Sequence, residues 1–429
     1  MSVEKSGLSF SQCMGDSFRQ TIADTFSNAK MDETIMLSGH LAQTLKRCQA
    51  SEGEYLIVAQ DTTFYNYSGH QAMEGLGVLQ ENIKGIIQHN SLVINESGIS
   101  LGLLHQQYWS RESSRSFEGV ESKKWFNALD SVNTHLGNSS KKVVLVQDRE
   151  ADIFDFFKAK REASVELIVR VFQPRNLEIV SDSGYKHQHI LDGITATCKL
   201  SQVSENIKSL GTTQTRISRD NKEVNLTLDI KASKVNILPD KTKKGNLLKT
   251  MGLSLVIAEE IAAVDKDGKD VFDAKDKAIW YLLTSLPVES FEDAKRVIKF
   301  YGLRWMIERF HFTMKTGALN VEKLQFDDID TTINALTFYS VVGWRLLAIT
   351  HLIRLEQDYD ANTCFTETEV ILLSKLSKKT ISTVKQAALA LTKIVGFAPS
   401  KKQPMPGIKV LAQAMERFHY IKIGAGISG

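Results

Sequence analysis

An α/β chain with a β-rich stretch set into it and helical segments at both ends is the fold class that the sequence predicts, and three observations predict it. Two apolar runs, YLIVAQ from Tyr55 and VVLVQ from Val143, lack alternation and read as strands buried on both faces, with helical spacing between them. Between residues 164 and 261 the runs SVELIVRVF, TQTRISRD, EVNLTLDI, SKVNIL and LSLVIAEEI are strand-like. There Val224, Leu226, Leu228 and Ile230 alternate with polar residues, as on a sheet with one wet face. From Phe291 onward the spacing is mostly helical, with loops near Thr316-Gly317, Asp327 to Asp330 and Pro399 to Pro406.

The 429 residues suffice for two or three domains. Apolar residues at 42% and charged residues at 24% exclude a mainly disordered, collagen-like or membrane-embedded chain. A formal charge of +3 is too mild to announce a nucleic-acid partner, so local charge must decide. Cys13, Cys48, Cys198 and Cys364 are far apart and form no C-x-x-C pair, which argues against a disulfide scaffold or a zinc ribbon. The opening segment, MSVEKSGLSFSQCMGDSF, has acids and no apolar run of a signal peptide, so a cytoplasmic location is expected. The run from Leu336 to Ile353 carries Arg345 in its middle and reads as a buried helix rather than a membrane span, because a charge at a bilayer centre is costly.

Five segments follow in order. Segment 1–54 is a small helical region, with Phe18, Ile22 and Phe26, then Ile35, Leu37, Leu41 and Leu45, at helical spacing. Its five Lys or Arg against seven Asp or Glu lack the basic footprint of a DNA-binding arm. Segment 55–160 holds the two buried strands, a pair of β runs joined by the turn Asn95 to Gly98, and helical patches near Trp125 and in EADIFDFFKAKR. Segment 161–275 is a separate β unit. Between Lys199 and Lys249 it carries 11 Lys or Arg against five acids, which suits either a phosphate-facing surface or a solvated sheet face. Segment 276–345 returns to α/β character and 346–429 is helical. Ser374 to Lys409 contains eight lysines and no acid, a solvated face or a DNA contact.

Two aspartates end the buried strands: Asp61 in VAQDTT and Asp148 in VQDREAD. Ligands of open α/β sheets gather beyond the carboxyl ends of strands, where two carboxylates can share a hard cation. An aspartate at a strand-to-helix junction is also an ordinary N-cap, and either one alone fits that reading. Glu150 and Asp152 complement the helix dipole whatever the function. The third element is FYGLRWMIERFHFTMKTG. On one continuous helix Tyr301, Arg304, Glu308 and Lys315 fall within an arc of about 60°. Bulky apolar neighbours predict a helix packed on several sides, so that Glu308 needs a partner; ion pairing with Arg304 and phosphate chemistry are equally open. Thr62 and Thr63 stand where they can orient Asp61, while His70, His89 and His105 form no ligand cluster in sequence and read as structural.

Taken together, DTT at Asp61, DREAD at Asp148 and Y-x-x-R-x-x-x-E-x-x-x-x-x-x-K from Tyr301 to Lys315 resemble the DDE transposases of the insertion sequence four group, whose signature is that Y-R-E-K spacing. GLLHQQYW from Gly102, RVFQPR from Arg170, WYLLTSLPVES from Trp280 and the tail VGFAPSKKQPMPGIKVLAQAMERF look similar too, so the resemblance runs from about residue 55 to 420. It implies an RNase H-like mixed-sheet core, in parts 55–160 and 276–345, interrupted by a β-strand insertion between Asp148 and Glu308. It also implies a C-terminal region that joins two subunits.

The implied activity is Mg²⁺-dependent cut-and-paste transposition: nicking at transposon ends, hairpin formation and opening, and strand transfer into target DNA. Two Mg²⁺ ions, with Mn²⁺ able to substitute, would be held by Asp61, Asp148 and Glu308. Tyr301, Arg304 and Lys315 would bind the DNA backbone. Trp280 would stack on a flipped base and Arg170 would lie near it; a core Trp in a strand and an Arg on a sheet's polar face are the plainer readings. The partners implied are double-stranded DNA and a second copy of the chain, with no membrane and no small-molecule substrate, in a bacterial cytoplasm beside the nucleoid. Relatives usually carry a longer end-recognition domain, whereas 60 residues precede Asp61 here. The alternative is therefore a shortened or catalytically silent regulator that binds DNA or inhibits a transposase by dimerising with it. A glycosidase using two of the carboxylates fits the cationic surroundings of Glu308 poorly, since a sugar offers no phosphate to neutralise.

Overall fold

The computed structural model describes residues 21, 23–70, 72–171, 177–179, 207–219, 222–237 and 251–426. Cys13, Phe18, Ile22, Arg175, Cys198 and much of the basic stretch from Lys199 to Lys249 lie outside the described residues. In chain order the elements are α1 (Glu33–Ala50), β1 (Tyr55–Asn66), β2 (Val78–Gln80), β3 (Ile83–Asn95), β4 (Ser100–Trp109), α2 (Lys123–Leu136) and β5 (Lys142–Gln147). Then come α3 (Phe154–Phe157), β6 (Val165–Arg170), β7 (Leu177–Ile179), β8 (Ser209–Arg219), β9 (Lys222–Ile237), β10 (Met251–Asp265) and β11 (Ile279–Thr284). The rest is helical: α4 (Phe291–Gly302), α5 (Trp305–Phe312), α6 (Ile329–Leu352), α7 (Glu367–Ser377), α8 (Val384–Lys393) and α9 (Ile408–Gly424).

The chain divides into two compact units. A sheet unit takes Gly53–Gln60 and Glu121–Arg304, and a helical unit takes the residues up to Glu52, Asp61–Val120 and Trp305 onward. The predicted segment 55–160 is thus shared between them, and β1 contributes its first six residues to one and its last six to the other.

In the sheet unit β1 runs parallel to β5, from Tyr55 opposite Lys142 to Ala59 opposite Val146, and β5 runs parallel to β6. Leu56 to Ala59, Val143 to Val146 and Leu167 to Val169 are all completely buried. Unbroken apolar runs belong in such doubly covered parallel strands. Strand β11 is antiparallel to β6, and β10 is antiparallel to β11 from Ser254 to Glu259. Strand β9 then follows, with β7 and β8 both hydrogen-bonded to it.

The β-rich stretch is therefore not a separate unit: it continues the same mixed sheet through the β11–β10 pair. Alternation reports that one face is wet and is silent about what an edge pairs with. The alternation itself is present, with Val224, Leu226, Leu228 and Ile230 buried along β9. Two cations of the basic stretch are engaged within the sheet. Arg219 pairs with the fully buried Glu260 at 2.6 Å, and Lys231 lies 3.4 Å from Glu259.

Helix α2 buries Trp125, Ala128, Leu129, Val132 and Leu136, the stripe of an amphipathic helix. Helix α4 starts in a capping box, Ser290 accepting from the Asp293 amide while Asp293 accepts from the Ser290 amide, and buries Ala294, Val297, Ile298 and Tyr301.

In the helical unit β3 and β4 form a hairpin whose turn places Gly98 at φ 83°, and α1 packs on β4. Gly102, at φ 148°, lies close against the helix: a Cβ there would stand 2.0 Å from Thr44 Oγ1. Only glycine fits. One turn earlier on α1, His40 Nε2 accepts from the Leu103 amide at 2.9 Å.

Helix α6 has 24 residues and is long and apolar enough to cross a membrane, yet 72% of its apolar stretch is buried inside the protein. Arg345 on it bonds Glu369 Oε2 at 2.5 Å and the Cys364 carbonyl at 3.1 Å. Burial alone would raise Glu369, but Arg345 and then Lys422 prevail and hold its carboxyl below the usual range. The Arg345 charge thus serves an internal ion pair. Around Leu346, Ile349 and Leu352 the helices α7, α8 and α9 close a second core with Leu373, Leu391, Leu411 and Phe418.

Burial, and secondarily Arg47, brings the His40 imidazole down to about 3. In the unfolded chain the same ring takes a proton near 6.5. The neutral, hydrogen-bonded form therefore contributes stability that is complete above pH 6.5 and lost as pH falls toward 3, by up to about 1.4 kcal/mol per pH unit. Urea midpoints of the wild type should drop between pH 7.5 and pH 5, and His40→Gln should show a smaller drop than the wild type.

Candidate functional site

The site residues read from the sequence fall into two groups, one in each unit. In the sheet unit the parallel register of β1 with β5 runs from Tyr55–Lys142 to Ala59–Val146. Gln60 and Gln147 are both fully buried, and Gln147 Nε2 donates to Gln60 Oε1 at 2.6 Å. Asp148 directly follows the last residue of β5, as expected, whereas Asp61 does not end its strand, because β1 continues to Asn66.

Asp148 is half-buried and accepts from the Glu150 amide at 3.0 Å, so it does cap the short helical turn that follows. Burial foremost raises its carboxyl above the ordinary value, with the Glu150 charge adding to the rise. The amide bond and the nearby cations Arg304 and Lys124 oppose it. Lys124 also pairs with Glu150 at 2.6 Å, which gives that acid the structural role expected of it. A carboxylate with two cations within electrostatic reach, partly out of water, is both an N-cap and a candidate ligand.

Trp280, Tyr301 and Arg170 all belong to this unit. Trp280 lies half-buried on β11, with its ring centroid 5.6 Å from that of Tyr301 at an interplanar angle of 60°. Tyr301 is 5% exposed. Arg170 ends β6, and its Nη2 lies 3.5 Å from the carbonyl of Ile279, the residue before Trp280.

The helical unit holds Asp61, Glu308 and Lys315. Asp61 Oδ1 accepts from the Thr62 amide at 2.9 Å, and its Oδ2 lies 3.7 Å from His311 Nδ1. Thr62 Oγ1 bonds His89 Nδ1 at 3.0 Å, so one of the histidines read as structural supports the residue beside Asp61. Lys315 is half-buried, with Nζ 5.8 Å from the Tyr65 ring; burial pulls its pKa down, against the pull of Glu322. Glu322 in turn accepts from the Asn66 amide at 2.7 Å.

The expectation of one helical face from Tyr301 to Lys315 is not met. Helix α4 ends at Gly302, a turn through Leu303 and Arg304 intervenes, α5 starts at Trp305, and residues Thr313–Gly317 form a π turn. A steady 100° per residue does not apply across those two breaks. Nor is α5 packed on several sides: it buries Met306, Ile307, Phe310 and His311 and leaves Trp305, Glu308 and Phe312 exposed. Glu308 therefore does not need an ion-pair partner on grounds of burial.

His311 was not singled out by the sequence reading, nor were Asn90 and Gln106, which connect to it. Asn90 Nδ2 lies 3.1 Å from His311 Nε2, and Gln106 Nε2 donates to Asn90 Oδ1 at 2.8 Å. A detectable signal existed: QHNS in β3 and HQQY in β4 are polar runs inside strands otherwise rich in Ile, Leu and Val. Buried polar runs must be satisfied internally.

Carboxylate oxygens are the donors that a hard divalent cation takes. Among the described residues, however, no group of three or more His, Cys, Asp and Glu side chains is arranged to hold a metal ion.

No protein-family profile matches the chain. Its structure is similar to that of the piggyBac transposase in a synaptic complex with hairpin DNA, solved by cryo-EM, at a TM-score of 0.33 and 8% sequence identity. The likeness covers 91% of this chain and spans 63% of the length of that one.

Proposed function

We propose that the chain is a DDE-type DNA transposase that acts on double-stranded DNA, nicking at the ends of its element, forming and opening a hairpin, and joining the ends to target DNA. The observation that carries this reading is the β1–β5 register: two parallel strands joined at Gln60 and Gln147, each followed at once by an aspartate of the DTT and DREAD motifs. The carboxyl end of a parallel strand, where Asp148 stands, is where an open α/β sheet receives its ligand.

On this reading Asp61, Asp148 and Glu308 would hold two Mg²⁺ ions, with Mn²⁺ able to substitute. Such ions supply charge for the attacking and leaving oxygens of an in-line displacement. The chain's own side chains carry the remainder. Arg304 and Lys315 would offer donors and positive charge to non-bridging phosphate oxygens. Half-burial keeps Lys315 short of full hydration, which strengthens such a contact. Tyr301 is too buried to serve chiefly as a backbone clamp, and its edge-to-face contact supports a different part: it holds the Trp280 ring. Trp280 would then stack on an extruded base beside Arg170. A second copy of the chain, joined through the helical C-terminal segment, would complete the assembly on two DNA ends, and the setting would be the bacterial cytoplasm.

Purified chain incubated with an end-containing duplex and Mg²⁺ should nick it, and Asp148→Ala should lose at least about 100-fold in rate, the scale on which removing one preorganised electrostatic group acts. Equal cleavage by the variant would overturn the assignment of Asp148. Trp280→Ala should lower hairpin yield more than first-strand nicking, by about 5- to 150-fold for the roughly 1–3 kcal/mol of a lost base stack. Trp280→Phe, which keeps a ring against Tyr301, should recover part of that loss. Unchanged hairpin yield in Trp280→Ala would remove the stacking role.

A further inference from the structure

Helices α5 and α6 bring two pairs of side chains together where α5 begins and α6 ends. Trp305 and Arg309 stand one turn apart on the exposed face of α5, while His351 lies in the last turn of α6 and Arg354 just beyond it. The Trp305 and His351 rings meet edge to face, with centroids 6.0 Å apart. Burial foremost, and then the Arg309 charge, lower the Arg354 pKa below its ordinary value, so the two guanidinium groups lie within electrostatic reach of each other.

Neither guanidinium is paired with a carboxylate among the described residues. Arg309 lies over the Phe312 ring, 4.8 Å from its centroid. Arg354 donates through Nη1 to the Thr350 carbonyl and through Nη2, at 3.3 Å, to the Pro406 carbonyl, which takes two of the five donors of a guanidinium. Those bonds explain Arg354 as the close of α6. They do not explain why Arg309 is brought up to it, since two like charges on fixed elements repel unless an anion lies between them.

The surroundings point to the kind of anion. Trp305 and Phe312, 45% and 39% exposed, flank Arg309 along α5, and Glu308 is the residue before it on the same exposed face. Arg354 also lines a cleft of about 490 Å³ together with Lys385, Lys402 and the apolar Ile353, Leu355 and Met405. Lys385 is held by Asp358 at 2.8 Å, so Arg354 and Lys402 supply the positive charge of that cleft. Both lysines come from Ser374 to Lys409, the stretch of eight lysines without an acid. Cations that follow one another from α5 past the end of α6 to Lys402 suit a chain of regularly spaced phosphates better than a single small anion. A planar guanidinium fork matches phosphate oxygens two at a time.

We propose that Arg309 and Arg354 grip a phosphodiester of the DNA backbone between them, in a groove that leads from the exposed face of α5 past the end of α6 to Lys402. The inference rests on the proposed action on DNA and deepens it. These two arginines lie outside the Y-R-E-K pattern, and they hold the strand that passes Glu308 by its phosphates, whatever its sequence.

Binding of the full chain to a fluorescent duplex of random sequence, followed by anisotropy without Mg²⁺ over a series of salt concentrations, tests this apart from any cleavage. Arg309→Gln should weaken binding about 10-fold at low salt. It should also reduce the slope of log affinity against log salt by about 0.9, the share of one neutralised phosphate. Arg354→Gln should do the same, whereas Arg354→Lys, which keeps the charge and loses the fork, should bind more weakly with the slope retained. Lys375→Gln removes an equal charge from the exposed surface of α7 and should change neither quantity; an equal loss there would show a diffuse charge effect and overturn the site. Inorganic phosphate at constant ionic strength, followed through the arginine Nε resonances, separates a backbone contact from a site for free phosphate. Saturation by phosphate with duplex binding unaltered in both Gln variants would overturn the DNA assignment. A chain that binds duplex through these arginines yet nicks no end-containing DNA with Mg²⁺ would refute the transposase reading and leave the groove standing. A chain that nicks, while both Gln variants bind with the wild-type slope, would refute the groove alone.

Discussion

The register between β1 and β5 is the constraint on which the candidate site depends. Five consecutive residues of each strand pair in parallel, from Tyr55–Lys142 to Ala59–Val146, and nearly all of them are buried on both faces of the sheet. A slip of one residue would turn every one of those side chains to the opposite face. Doubly covered apolar strands tolerate that poorly, because each side chain is fitted among neighbours at near-crystalline density. The polar bond between Gln60 and Gln147 reinforces the same alignment, since a slip would break it. The aspartates thus occupy defined positions, Asp148 just past its strand and Asp61 within one, as a consequence of apolar packing several residues away.

The surroundings of the two aspartates follow different physical rules. Asp148 leaves its strand into a helical turn that it caps itself, and half-burial raises its carboxyl against the pull of Arg304 and Lys124. Asp61 remains inside a strand that continues for five more residues, and its neighbours come from β3 and from α5. The polar side chains of β3 and β4 are costly to bury singly, and as a connected series they are satisfied and mutually polarised. They also exclude alternative packings, because any displacement of one amide unpairs the next. Burial raises the phenols of Tyr65 and Tyr108 above their usual range, which favours their protonated form.

Much of the architecture was legible in the chain itself. Unbroken apolar runs identified β1 and β5, alternation identified β9, and the turn signal at Asn95 to Gly98 identified the β3–β4 hairpin, because these are properties of a residue and its near neighbours. The apolar run around Arg345 read as a buried helix for a reason the structure makes explicit, an ion pair with Glu369 and a bond to the Cys364 carbonyl. Asp148 was legible as a strand-end residue and Trp280 as a strand residue, whereas Asp61, expected at a strand end, lies within a strand that continues to Asn66.

What only the tertiary structure decided is how those pieces associate. That β8 to β10 prolong the main sheet through β11 is a matter of edge pairing, and edges carry no signature in local pattern. The interruption at Gly302 to Arg304 and the π turn at Thr313–Gly317 cancel a helical projection that local spacing alone supported. His311, Asn90 and Gln106 lie on three elements separated by up to 221 residues, so their connection to one another and to Asp61 exists only once the hairpin and α5 are packed. Local sequence determines which backbone form each stretch prefers; which buried donor meets which acceptor is settled by three-dimensional closure, where an unpaired polar group costs more than any local preference can return.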